Sequence, residues 1–176
     1  MLTQTPGSVY QIAYLVPSLE TAAREWAELT GAGPFYLFEH FEFIQPIYKG
    51  DPAEVDISIA MGFSAGVCVE LIYQHDERPS IYQDWLAEHG HGLHHVAKLA
   101  TDFPAALENH QAKGAPVVFT GAFGGGTRLA YLDARATLGC YLELVEFDDF
   151  VNQALNAMRD AHASWDGQDP LRPFAL

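Results

Sequence analysis

The residues QIAYLVPSLETAA (11–23) are matched by HVAKLATDFPAAL (95–107), and this repeat decides the fold. Each stretch contains a short apolar strand, a polar helix start and a run typical of a helix. A second pair follows, because GVCVELI (66–72) is matched by GCYLELV (139–145), and each of these places one glutamate in an apolar strand. An internal repeat of this kind predicts a structure built from two copies of one unit.

Each copy reads as one strand, one helix and three further strands. We therefore predict an α+β fold in which two β-α-β-β-β modules, residues 8–74 and 93–147, form an eight-stranded, partly open barrel around a central cavity. Residues 75–92 connect the modules, and residues 148–176 form a C-terminal helix and an irregular tail. The helix, over residues 150–163, is amphipathic, so we expect it to cover the barrel mouth or to pack against a second chain.

The composition excludes several functional classes. The chain has 23 acidic and 9 basic residues, which gives a net charge of −14. Nucleic-acid binding requires clusters of lysine and arginine, and general attraction to anionic membranes is disfavoured as well. No apolar run approaches the roughly 20 residues of a membrane helix, and the first residues do not resemble a signal peptide. We therefore expect a cytoplasmic protein with a small-molecule partner, and a homodimer.

Four polar side chains hold equivalent places in the two copies: Gln11 and His95 in the first pair of stretches, and Glu70 and Glu143 in the second. Successive side chains of a strand point to opposite faces, so we expect the glutamates to face the cavity and their leucine neighbours to face the helices. Buried carboxylates are costly without a cation, and neither copy offers a matching lysine or arginine. The sequence therefore predicts a divalent metal ion; mixed nitrogen and oxygen ligands suit zinc, nickel, cobalt, manganese or iron.

The paired modules and this set of four side chains resemble the vicinal oxygen chelate superfamily. Within it, GLHHVA (92–97), RLAYLD (128–133) and LEL (142–144) are most similar to lactoylglutathione lyase and methylmalonyl-CoA epimerase-like proteins. The resemblance implies that Gln11, Glu70, His95 and Glu143 bind a metal with open positions for substrate oxygens. Gln11 stands where the epimerases and the ring-cleaving dioxygenases of the superfamily usually have histidine.

The resemblance implies a metal-dependent lyase or isomerase of the glyoxalase type, or an epimerase. Such an enzyme shifts a proton next to a carbonyl on a small organic acid, a thioester or a thiol adduct. A metal ion that polarises the carbonyl makes the neighbouring C–H more acidic, and a carboxylate within reach then removes the proton. We take Glu143 as this base and Glu70 as the symmetric candidate.

Three further residues are candidates for substrate binding. Glu39 is expected to share a strand face with the aromatic residues that follow it. Arg128 has the chemistry to bind a substrate carboxylate or phosphate, and Tyr131 is expected to line the cavity. We predict that His94 points to the face of the strand opposite His95, because the two residues are adjacent.

A different functional class stays open. The superfamily includes antibiotic-sequestering proteins of the bleomycin-resistance type, which are acidic and bind cationic drugs without a metal. The net charge of −14 fits such a protein. The complete set of four ligand side chains favours the enzyme, because a sequestering pocket does not need it.

Overall fold

The computed structural model describes residues 6–174. In the first half of the chain the elements are β1 Val9–Leu15, α1 Leu19–Thr30, β2 Phe35–Phe41, β3 Ile44–Tyr48, β4 Asp51–Pro52, β5 Ile57–Ser64, β6 Val67–Gln74 and α2 Ile81–His89. In the second half they are β7 Gly92–Ala100, α3 Phe103–Ala112, β8 Val117–Phe123, β9 Thr127–Leu132, α4 Arg135–Leu138, β10 Tyr141–Glu146, α5 Asp149–Ala163 and β11 Leu171–Pro173.

All the strands form one mixed sheet in the order β11-β2-β5-β6-β1-β7-β10-β9-β8-β3-β4. The inner eight strands, from β2 to β8 in this order, are symmetric about the antiparallel pair of β1 and β7. On either side of this pair, β6 lies parallel to β1 and β10 lies parallel to β7. The sheet does not close, because β11 and β4 are its free edges. The predicted α+β fold with two related halves and an open barrel is confirmed, while the module boundaries at residues 8–74 and 93–147 stay a prediction.

The two faces of the sheet have different roles. On the outer face, Leu71 of β6 packs with Ala22 and Ala23 of α1. Leu142 and Leu144 of β10 pack in the same way with the first residue of α3. The glutamates next to these leucines therefore point to the inner face, as the alternation of the strands predicts.

The helix starts follow from local capping. Ser18 accepts a hydrogen bond from the backbone N–H of Thr21 at 3.3 Å. Asp102 accepts one from Ala105 at 3.1 Å, and Ser80 accepts two at the start of α2. A capping side chain contributes about 1 kcal/mol, so these polar residues set where each helix begins. The polar helix starts predicted within residues 11–23 and 95–107 are confirmed at Ser18 and Asp102.

The structure contains three strands that periodicity does not predict. Strand β3 follows β2 in the chain and pairs with β8 of the other half, and the two-residue β4 pairs antiparallel with β3. Residues 171–173 of the tail, which we expected to be irregular, form β11 against β2. These short segments carry little pattern of their own, and pairing with a distant strand gives them their conformation. Among residues 6–174, no helix is both long and apolar enough to cross a bilayer.

Helix α5 closes the inner side of the sheet. Its cap Asp148 accepts hydrogen bonds from the backbone of Val151 and from the Thr127 hydroxyl of β9. Phe150, in the first turn, packs on the glycine turn between β8 and β9. An added Cβ on Gly124 would lie 2.5 Å from the ring of Phe150. The start of α5 therefore requires glycine at this position of the turn.

We expect Gly124→Ala to loosen the start of α5. Gly125→Ala is the matched control, because both glycines have a positive φ but an added Cβ on Gly125 meets nothing within 4 Å. Both variants share a backbone penalty of about 1 kcal/mol. Hydrogen exchange of the amides of residues 150–155 should rise about tenfold more in Gly124→Ala than in Gly125→Ala. Equal exchange in the two variants would show that the contact with Phe150 does not hold the helix.

Candidate functional site

The four residues that the repeat selects converge on the inner face of the sheet. The amide nitrogen of Gln11 donates to Glu70 Oε2 at 2.7 Å. The Nε2 atom of His95 lies 3.3 Å from Glu70 Oε2 and 3.4 Å from Glu143 Oε2. All four side chains are buried. The structure therefore brings the predicted set together in one cluster, which we call the central cluster.

Strand register explains this convergence. In the first half, Gln11 pairs with Cys68 and Ala13 pairs with Glu70. In the second half, His95 pairs with Tyr141 and Ala97 pairs with Glu143, so the register is the same in both halves. Because β1 and β7 lie side by side at the centre of the sheet, equal registers in the two halves bring both glutamates toward His95.

Two bulges adjust the direction of these side chains. Between β1 and β7, Ala13 pairs with His95 but Tyr14 pairs with Leu93, so His94 is an extra residue on β7. A bulge breaks the two-residue alternation and turns side chains toward a common side. The Nδ1 atoms of His94 and His95 consequently lie 2.9 Å apart, and His94 packs beside Tyr82. The prediction that His94 points to the face of the strand opposite His95 is therefore wrong. His94 contacts the ring of His95 and packs against Tyr82 of the cavity wall.

The second bulge is the counterpart of the first. Val9 pairs with Lys98 and Gln11 pairs with Ala97, which leaves Tyr10 as the extra residue on β1. Tyr10 and Gln11 consequently both line the cavity, although they are adjacent in the strand. Tyr10 is a site residue that the repeat alone does not reveal, because alternation predicts it on the outer face.

Burial and charge act in opposite directions on His95. Burial lowers its pKa, but Glu143 and Glu70 outweigh this effect and raise the pKa to about 9. Burial also raises the pKa of Glu70, and the contact with His95 opposes that rise. The pKa of His94 is lowered by burial and by the neighbouring His95. At neutral pH His95 in the metal-free cluster is therefore protonated, and His94 is neutral.

The central cluster fits a divalent cation. Among the described residues, His95 Nε2 is the one buried side-chain nitrogen or oxygen that makes no hydrogen bond, since neither carboxylate lies in line with it. A protonated His95 offsets only one of two carboxylate charges, whereas a divalent ion beside a neutral imidazole offsets both. Gln11 uses its amide nitrogen for Glu70, which leaves the amide oxygen as its ligand atom. One imidazole nitrogen and three oxygens are a donor set that zinc, nickel, cobalt, manganese and iron accept.

A cavity of about 270 Å³ opens from the central cluster. Nine aromatic side chains line it, and α5 covers it through Val151, Ala154, Leu155 and Met158. Among the described residues, the charged groups in its wall are three carboxylates, Glu42, Glu70 and Glu143, and no lysine or arginine lines it. The cavity therefore accepts a compact, largely apolar ligand.

Two tyrosines bring neutral hydroxyl groups to this cavity. Burial raises the pKa of Tyr10 and of Tyr131, and the charge of Glu143 raises both further. The Tyr131 hydroxyl lies 3.2 Å from the hydroxyl of Tyr82, and its ring lies 5.0 Å from that of His95. The predicted place of Tyr131 in the cavity wall agrees with the structure. Both phenols stay protonated and can donate hydrogen bonds to a ligand oxygen.

Glu39 and Arg128 lie outside the cavity wall. Strand β2 has an extra residue between Phe38 and Phe41, so both phenylalanines face the cavity and Glu39 faces solvent. Glu42 lies at the cavity instead. The guanidinium group of Arg128 is occupied by Glu146, with an Nε–Oε2 distance of 2.8 Å. The expected positions of these two side chains at the substrate are therefore corrected.

The metal-free protein should lose stability as the pH rises from 6.5 to 9. The pKa of His95 is raised from 6.5 to about 9, so its contribution is complete below 6.5 and is lost as the pH passes the folded-state value. We expect a loss of roughly 2–3 kcal/mol in the free energy of unfolding. The raised pKa of Glu70 acts with the same sign, and the lowered pKa of His94 acts only below pH 6.5.

Urea unfolding of chelator-treated protein measures this dependence. The variant His95→Gln lacks the titrating group, so its stability should change much less over the same range and should approach the wild-type value near pH 9.5. Other titrating groups, such as His40, are common to both proteins and cancel in the comparison. Parallel pH profiles for the two proteins would contradict the protonated state of His95.

A family model described as the Glyoxalase/Bleomycin resistance protein/Dioxygenase superfamily matches residues 10–131. No curated protein sequence matches the chain. Among solved structures, methylmalonyl-CoA epimerase from Mycobacterium tuberculosis is 16% identical with a TM-score of 0.59, over 87% of this chain and 96% of that one. A hypothetical protein from Bacillus halodurans C-125 is 17% identical with a TM-score of 0.60, over 81% and 95%.

A further structure shows a methylmalonyl-CoA epimerase in complex with methylmalonyl-CoA and NH4+. It is 21% identical to this chain with a TM-score of 0.52, and the match covers 82% of this chain and 97% of that one. At these identities the solved structures show a common fold. The family model spans more than half of the sequence, and the chain therefore belongs to the Glyoxalase/Bleomycin resistance protein/Dioxygenase superfamily.

Proposed function

We propose that this protein is a metal-dependent lyase or isomerase of the glyoxalase type, which moves a proton on a carbon next to a carbonyl group. The observation that carries the proposal is the Nε2 atom of His95. It is buried without a hydrogen bond, it lies within 3.4 Å of two carboxylates, and the cluster opens on a ligand-sized cavity. Gln11, Glu70, His95 and Glu143 would hold the ion.

Held by these four residues, a divalent ion would supply positive charge to polarise a substrate carbonyl group. Side chains of the protein would transfer the proton and orient the substrate. Glu70 is fixed by the amide of Gln11, whereas the ion pair of Glu143 is with His95 alone among the described residues. Glu143 is therefore the freer carboxylate, and we assign it the removal and return of the proton, with Glu70 as the symmetric candidate. Tyr10 and Tyr131 orient the substrate oxygens.

The cavity wall indicates the kind of substrate. Its volume of about 270 Å³ lies at the small end of ligand pockets, and its lining is mostly apolar. An anionic group inside it would meet carboxylates and no basic side chain of the described residues. We therefore infer that the cavity takes a compact, apolar carbonyl group of the substrate that is neutral or cationic.

The proposal predicts proton exchange that depends on Glu143. Metal-loaded protein in deuterium oxide should exchange the hydrogens next to the carbonyl of 2-hydroxyacetophenone, a compact neutral probe, as followed by NMR. Glu143→Gln should slow this exchange by about 100-fold or more, because the amide cannot accept the proton. The 4-carboxylate of the same probe should exchange at least about tenfold more slowly with the wild type, because its charge enters an acidic cavity.

Glu42→Gln is the matched control, since Glu42 lines the cavity but lies outside the central cluster. It should exchange the neutral probe within about twofold of the wild-type rate. The metal content of every sample is measured, so that a lost base is distinguished from a lost ligand. Wild-type exchange in fully loaded Glu143→Gln would refute the role of Glu143, and absence of exchange in the loaded wild type would refute the enzyme activity on such carbonyl compounds.

The same cavity supports a second candidate, a metal-free protein that sequesters a small organic cation. Nine aromatic side chains and three carboxylates are the groups that attract an organic cation. This candidate requires that divalent ions do not bind at the central cluster. Metal titration of the wild type and of His95→Gln separates the two functions: a bound ion that is lost with His95 supports the enzyme, and metal binding that is the same in both proteins supports the sequestering protein.

A further inference from the structure

A second group of metal-ligating side chains lies outside the cavity. The ligand atoms of His40, Asp56 and His75 lie within 4.8 Å of one another. We propose that these three residues, which we call the rim triad, bind a divalent transition-metal ion such as zinc at the surface of the first half. This site shares no residue with the central cluster and does not depend on the function proposed above.

Three neighbouring strands build the rim triad. His40 lies in β2, Asp56 directly precedes β5 and His75 directly follows β6, and these strands are adjacent in the order β2-β5-β6. The backbone N–H of His75 donates to the carbonyl of Asp56 at 2.9 Å, which fixes one side of the group. The three donors therefore come together through sheet pairing rather than through a flexible loop.

The backbone of His40 is held in an unusual conformation. Its φ of +47° lies in the left-handed region, and the residue falls within the bulge between Phe38 and Phe41. Its N–H donates to the buried hydroxyl of Ser58 at 3.0 Å, and the same hydroxyl lies 2.7 Å from Nε2 of His75. Positive φ is costly for a residue with a side chain and is typical of functional positions. The hydroxyl of Ser58 therefore contacts both histidines of the rim triad and fixes their positions.

The side chains already have a geometry close to that of a metal site. Nδ1 of His40 lies 2.7 Å from Asp56 Oδ1, and the rings of His40 and His75 stack with centroids 4.5 Å apart. Two imidazoles and one carboxylate are a common protein ligand set for zinc, with water completing the coordination. The His40 side chain is 68% exposed and Asp56 is 31% exposed, so an ion can enter and the rings can turn toward it. The net charge of −14 further favours cation binding.

Calorimetric titration of the metal-free protein with Zn²⁺ alone tests the rim triad. His75→Ala and Asp56→Asn should each weaken one class of binding by at least about tenfold, since each removes one of three ligands. His89→Ala is the matched control, because His89 is an exposed histidine outside the triad, and it should bind as the wild type does. Unchanged thermal unfolding of each variant shows that the fold is kept.

The titration is repeated in the variant His95→Gln, which removes a ligand of the central cluster. The class that depends on His75 and Asp56 should persist there, whether or not the central cluster binds an ion. Its presence in this background supports the rim triad independently of the proposed enzyme. Zinc affinities of His75→Ala and Asp56→Asn within twofold of the wild type would overturn the inference, even if the central cluster binds zinc.

Discussion

The structure depends on one arrangement, a buried imidazole between two buried carboxylates. His95, Glu70 and Glu143 come from three strands and two halves of the chain, and their contacts of 3.3 and 3.4 Å cross the centre of the sheet. In an apolar surrounding, unpaired carboxylates would be strongly destabilising. The equal register of the two halves and the bulges of β1 and β7 bring these groups together, and His94 contacts His95 at 2.9 Å.

The apolar cavity and the polar cluster act together. Low polarity in the cavity strengthens the electrostatic effect of any charge at the cluster, and residues of α5 form part of the cavity wall. The same wall restricts the size of the ligand. The chain shares its fold with methylmalonyl-CoA epimerases, and its cavity has an acidic and aromatic wall. Under the proposed function, residues outside the four repeated positions would therefore select the substrate.

The repeat predicts a large part of the fold and the central cluster. Gln11, Glu70, His95 and Glu143 are identifiable because duplicated strands place equivalent residues at equivalent positions. The bulges are not identifiable in the same way, since one extra residue leaves no mark on composition. They explain why Glu39 faces solvent, and why Tyr10 and His94 lie at the site.

The sequence also does not predict which distant segments pair with each other. The pairing of β3 with β8 and of β11 with β2 joins segments far apart in the chain, and neither segment has a strong pattern of its own. The ion pair of Arg128 with Glu146 depends on the register of β9 and β10, which the motif around Arg128 does not encode. The expected homodimer and cytoplasmic location stay predictions.

The most direct test of the central cluster is anomalous X-ray scattering from crystals grown with Zn²⁺. We predict one anomalous peak within bonding distance of His95 Nε2, the carboxylates of Glu70 and Glu143 and the amide oxygen of Gln11. Zinc found only elsewhere on the protein, with the central cluster closed by direct contacts between its side chains, would contradict the account.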